Sequence, residues 1–209
     1  VVGLAIDIAE VLEEIGIGYD IVSSGEERRS GEYLDAESNS QVTKPFIREF
    51  FLEVTFSANT LVQDGDVLQF RYSGDVFGEC YMVMNRTDTI FENEKISYDG
   101  VLYKVNVSGE LLRPSGETRD DRYHMINVWN PLNDVVYALQ TEPLFGGELE
   151  DMELGVIGIE KHEMYVPTVY GVRELDRYSP SSGEYYKVDS IKKRRYKGVD
   201  VVVLSEDTR

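Results

Sequence analysis

Gly78-Glu79-Cys80-Tyr81-Met82-Val83 and Gly183-Glu184-Tyr185-Tyr186-Lys187-Val188 read as one β phrase written twice. A second echo precedes each copy. Leu61-Val62-Gln63-Asp64-Gly65-Asp66 leads into the first, and Val172-Arg173-Glu174-Leu175-Asp176 into the second. Asp66 and Gly78 lie twelve positions apart and Asp176 and Gly183 seven, so a true repeat carries five more residues in its first connection. Each phrase is a turn followed by a strand with alternating side chains, the unit of a small antiparallel barrel. Alternation puts Tyr186 and Val188 on one face of the strand and Tyr185, Lys187 and Asp189 on the other. The expectation is that Tyr186 and Val188 face a core, with Tyr81 and Val83 inward in the first copy. Coincidence between common strand and turn residues is the competing explanation of the echo.

Working outward, 209 residues suffice for one elaborated domain or two small ones. With 14 Tyr, 8 Phe and 1 Trp the chain is no disordered acidic tail. Its 39 acidic and 21 basic residues leave a net charge of -18. That opposes general affinity for nucleic acid, which rests on neutralising phosphates with Lys and Arg. A surface that stays near DNA without sticking to it is compatible with the same charge. The lone Cys80 forbids an intrachain disulfide and argues against a Cys-rich zinc site. No apolar run has bilayer-spanning length, and no secretory signal is read at the N-terminus. The sequons at Asn85-Arg86-Thr87 and Asn106-Val107-Ser108 are taken as chance matches.

Leu4, Ile8, Val11, Leu12 and Ile15 recur at helical spacing, with Asp7, Glu10, Glu13 and Glu14 filling the other face and Gly16 and Gly18 as the stop. A helix of about three turns is predicted there, held by its apolar stripe because the acids near its C-terminus oppose the macrodipole. Residues 23–45 read as a polar loop or arm. Strand-like sequence starts at Phe46, where Phe50, Leu52, Val54 and Phe56 alternate with Phe51, Glu53 and Thr55. Further strands are predicted at 67–72, 80–84 and 102–107, with Asp99-Gly100 as a turn. Residues 108–122 are rich in Ser, Gly, Pro and charge and read as the passage between halves. Residues 125–139 are ambiguous between strand and helix, because Pro131 interrupts a β-prone run. A Gly-Gly and acidic stretch at 146–153 follows, then strands at 164–166, 185–191 and 199–204. The predicted fold class is mainly β: small antiparallel β-barrels, on a duplicated β unit if the echo is real, with an N-terminal helix. The boundaries are 1–22 for the helix, 23–45 for the arm, 46–112 for a first β unit, 113–122 for a linker and 123–209 for a second β unit.

Catalytic and ligand motifs are absent. His124 and His162 lie in no metal-ligand pattern, and Asp64-Gly65-Asp66 lacks the spacing of an EF-hand and reads as a β-turn. No phosphate-cradling glycine loop and no nucleophile elbow occurs. The sharpest charge feature is Lys192-Lys193-Arg194-Arg195-Tyr196-Lys197, five cations in six residues of an acidic chain. Placed between two strands with Gly198 as punctuation, it is a hairpin tip. It is either a solvated loop or a plug onto an acidic partner or neighbouring subunit.

The C-terminal residues resemble the head-closure, or stopper, proteins among the head-tail connectors of tailed bacteriophages. The likeness rests on Gly183-Glu184-Tyr185-Tyr186-Lys187-Val188-Asp189-Ser190, on Arg195-Tyr196-Lys197-Gly198-Val199, and on the tail Val203-Leu204-Ser205-Glu206-Asp207-Thr208-Arg209. Pro167 and the Glu174-Leu175-Asp176 turn are similar to the family's earlier strand boundary, so the resemblance covers about residues 160–209. It implies a β-barrel subunit assembled into a homo-oligomeric ring of the virion neck, built in the host cytoplasm. Such a ring joins a portal or adaptor ring to a tail terminator or tail tube and lines a channel through which DNA passes without sequence-specific binding. It implies no enzymatic activity, no cofactor, no metal and no membrane partner. The concentration of cations in an acidic chain, read on its own, makes Lys192, Lys193, Arg194, Arg195 and Lys197 the candidate interaction residues. The chain departs from the family in being a good deal longer. A tail terminator or other neck protein, a cellular β-rich module that binds a peptide or glycan through its tyrosines, and a carboxylate-dependent hydrolase stay open as alternatives.

Overall fold

The structure, a computed structural model, describes residues 2–23, 31–37, 51–74, 76–119, 125–141, 162–180 and 183–207. Helix α1 (Val2–Ile15) precedes β1 (Ile17–Ile21), β2 (Glu32–Glu37), β3 (Phe51–Ser57), β4 (Val67–Tyr72), β5 (Val76–Phe91) and β6 (Glu94–Lys104). Then come β7 (Val107–Arg119), β8 (Met125–Thr141), β9 (His162–Pro167), β10 (Arg177–Ser179), β11 (Tyr186–Tyr196) and β12 (Val199–Glu206). The first six strands close into an antiparallel barrel in the order β1-β2-β3-β6-β5-β4, and the second six into another in the order β7-β8-β9-β12-β11-β10. Adding six to each strand number converts one order into the other. The fold is mainly β, as predicted, and the echoed phrases occupy matching places in two barrels of one topology.

The match extends to single hydrogen bonds. In the first barrel Gly65 N donates to Val83 O at 2.8 Å and Val83 N to Asp66 O at 2.8 Å. In the second, Leu175 N donates to Val188 O at 2.9 Å and Val188 N to Asp176 O at 2.9 Å. Each turn is closed by its own aspartate: Oδ2 of Asp66 accepts from Gln63 N and Oδ2 of Asp176 from Arg173 N, both at 2.8 Å. The turn needs a left-handed residue before the aspartate. Gly65 supplies it freely at φ 88°, whereas Leu175 adopts φ 72° at a steric cost. The longer first connection is in part a longer strand, since β4 has six residues and β10 three.

Both barrels are filled by side chains, as six-stranded barrels of this size must be. Tyr81 and Val83 lie in the first core with Tyr19, Phe56 and Phe70, and Val188 in the second with Tyr178 and Leu204, Tyr186 packing beside it. The predicted inward faces are therefore observed. A third apolar cluster joins the barrels: Val67, Met82 and Met84 from the first meet Leu139 and Val199 from the second, with Cys80, Tyr137 and Tyr165 at its margin. At this joint the backbones of Gly65 and Gly198 approach so closely that a Cβ on either would overlap the other's segment.

Several expectations change. α1 forms where predicted, but of its stripe only Leu12 is buried, while Val11 and Ile15 are exposed. Asp99-Gly100 is no turn. It lies inside β6, where Gly100 has no side chain because Phe56 and Val54 occupy that space. The β5–β6 turn is Glu92-Asn93, both at positive φ, a two-residue hairpin. Residues 113–119 of the expected linker belong to β7, and Val107–Leu112, assigned to the first unit, pair within the second barrel. The arm at 23–45 contains β2, and β1 follows the helix within 1–22. Residues 125–139 are strand, with Pro131 accommodated at a register shift opposite Leu111 and Leu112. Phe46, Phe50, His124 and the 146–153 stretch lie outside the described residues.

Candidate interaction surfaces

The basic run lies where β11 turns into β12. The ladder pairs Lys192 with Val201 and then Tyr196 with Val199, so Lys193, Arg194 and Arg195 bulge from β11 opposite the single residue Asp200, with Arg194 left-handed at φ 68°. The structure divides the five predicted interaction residues into two kinds. Lys192 and Lys197, at the two ends, are bound within the chain. Lys192 Nζ donates to Glu163 Oε1 at 2.6 Å, and Lys197 Nζ lies 3.0 Å from Asp64 Oδ2 across the barrel joint. Lys193, Arg194 and Arg195 between them are exposed and form no ion pair among the described residues. Arg195 lies over the Tyr196 ring, with its guanidinium carbon 5.5 Å from the centroid. Lys193 acts on the nearby Asp200, whose carboxyl is raised above its ordinary range by burial, an effect Lys193 only partly offsets. The tip is thus a cationic bulge anchored at both feet.

A second charged surface went unread in the sequence. On the outside of the first barrel, β2, β3, β6 and β5 lie side by side. Their register sets Asp35, Thr55, Asp99 and Thr87 in one row and Glu37, Glu53, Val101 and Asn85 in the next. These residues line an open cleft. Thr89 donates to Asp99 Oδ2 at 2.6 Å and Thr55 to Oδ1 at 3.3 Å, which orients that carboxylate. Glu37 and Glu53 stand directly opposite each other in the register. The signal was present as acids alternating with Leu34, Val54 and Phe56, but cross-strand rows depend on register.

Asp64-Gly65-Asp66 is the turn it was read as. Asp66 is committed to Gln63 N and to Ser23, whose Oγ donates to Oδ1 at 3.0 Å. The matching Asp176 is held by a two-pronged contact from Arg113, with Nε at 2.9 Å and Nη2 at 2.8 Å. Among the described residues no group of three His, Cys, Asp or Glu is placed to hold a metal ion, and no helix is long and apolar enough to cross a membrane. Cys80 sits half-buried at the joint with its thiol pushed up by burial, away from the reactive thiolate. His162 packs edge-on against Tyr186, with ring centroids 5.4 Å apart.

A scan against protein-family models, a search of curated proteins and a search of solved structures each find no match. Fold class and surface geometry are therefore what bear on function.

Proposed function

We propose that this chain is a structural virion protein of the tailed-phage neck. It forms a ring that joins the portal or adaptor of the DNA-filled head to the tail and lines the DNA channel. The observation that carries the reading is the repeated barrel. The segment resembling head-closure proteins supplies β9 to β12 of the second barrel, and the excess length over that family is a first barrel of the same strand order. One subunit then brings two stacked barrels to the ring, coupled by the apolar joint. The net charge of -18 suits a channel past which DNA must slide. The role asks for surfaces that dock rather than turn over substrate, and the cationic bulge and the acidic sheet face are surfaces of that kind.

The test is attachment. Purified protein is mixed with portal-containing heads that lack neck proteins and is co-sedimented. Binding at a fixed stoichiometry, lost when the portal is absent, is the expected result. A protein that binds neither heads nor isolated portal rings, yet saturates with a peptide or glycan, would replace this reading with that of a cellular binding module.

A further inference from the structure

We infer that the cationic bulge of one copy docks onto the acidic face of the first barrel of the next copy, so that subunits join head to tail. This rests on the ring reading above and names the surfaces that would build it. The two surfaces belong to different barrels of the chain. An interface between unlike patches is heterologous, and repeated with a fixed rotation it closes into a ring.

Charge complementarity identifies the occupant. Lys193, Arg194 and Arg195 are exposed on one bulge, flanked by Lys192 bound to Glu163 and Lys197 bound to Asp64. That anchoring reduces the ordering cost of docking. Opposite them in sign stand Asp35, Glu37, Glu53 and Asp99, arrayed in two rows on a rigid sheet. Guanidinium groups suit paired carboxylates because their forked donors match both oxygens. Asp35 and Thr55 also border a groove against α1 lined by Leu4, Ile8 and Val11. Apolar surface beside the carboxylates gives the aliphatic stems of Lys and Arg somewhere to lie. Nucleic acid is the poorer occupant of the bulge, since a net charge of -18 repels a polyanion beyond a local contact.

The experiment is a charge swap on the full chain, read by sedimentation velocity and salt titration, with circular dichroism as the check on folding. One variant carries Lys193→Glu, Arg194→Glu and Arg195→Glu; the other carries Asp35→Lys and Glu37→Lys. Each alone is expected to self-associate at least about tenfold more weakly than wild type, because like charges then face each other across the interface. Mixed in equal amounts the two should assemble again, since an acidic bulge meets a basic face and a basic bulge an acidic one. Wild-type assembly should weaken with added salt. Folded variants that each assemble like wild type would overturn this interface and leave the ring reading standing. So would a mixture that fails to recover. A bulge variant that self-assembles but no longer binds portal-containing heads would assign the bulge to the portal instead. A wild-type chain that is monomeric alone and on the portal would overturn both readings.

Discussion

Asp176→Ala tests the duplicated turn at its most heavily bonded point. The carboxylate is 1% exposed, accepts both prongs of Arg113 at 2.9 and 2.8 Å, and takes Arg173 N at 2.8 Å. Removing it takes away the counter-charge of the guanidinium, which keeps its bond to Gly171 O, and strands a backbone N–H. Breaking a buried ion pair costs about 3–5 kcal/mol, and an unsatisfied donor adds about 1–3 kcal/mol. Arg113 is a quarter exposed and rehydrates in part, so the expected total is about 3–4 kcal/mol. Asp66→Ala is the companion variant in the first barrel, where the carboxylate accepts from Ser23 Oγ and Gln63 N. Loss of those two bonds should cost at least about 2 kcal/mol. Urea denaturation reads both, by circular dichroism and by fluorescence of Trp129, the chain's one tryptophan, which packs against Arg177 in the second barrel. A double-mutant cycle with Arg113→Ala isolates the pair. A loss below about 1 kcal/mol for Asp176→Ala, or a coupling near zero in the cycle, would refute the reasoning.

Three further outcomes are expected. Val188→Asp places an unpaired carboxylate at a fully buried core position and should cost about 3–5 kcal/mol, with an unchanged denaturation midpoint counting against the face assignment. Gly198→Ala forces a side chain into a left-handed position against Asp64 and should cost about 2–4 kcal/mol; looser packing at the joint should make Cys80 react faster with a thiol reagent, and an unchanged rate would mean the joint stays closed. Because burial raises Asp200, the native state holds its proton more tightly than the unfolded chain, so stability falls as pH rises through the native value. Asp200→Asn should therefore raise the melting temperature at pH 7, with the gain vanishing below about pH 4, and a lowered melting temperature at pH 7 would contradict the sign.

Much of this fold was legible because alternation survives translation into structure. Tyr81, Val83, Tyr186 and Val188 could be assigned inward faces from period two alone, and the echo of Gly65-Asp66 in Leu175-Asp176 marked the turn that organises each barrel. Misreadings came where a local signal served a distant neighbour. Gly100 looked like a turn residue but is small to admit Phe56 from β3. Pro114, Ser115 and Gly116 looked like a linker but sit at a register shift in a long strand. Lys192 and Lys197 looked equivalent to the cations between them until Glu163 and Asp64 were placed beside them. The acidic face was hidden for the same reason, since Asp35, Glu37, Glu53 and Asp99 come from three strands whose register no local pattern specifies.

Negative-stain electron microscopy of the purified protein, alone and with isolated portal rings, tests the central claim most directly. The account predicts closed rings of uniform diameter with a central channel, two barrel layers deep, that stack coaxially on the portal. Dispersed single subunits in both samples, with portal rings left bare, would contradict it.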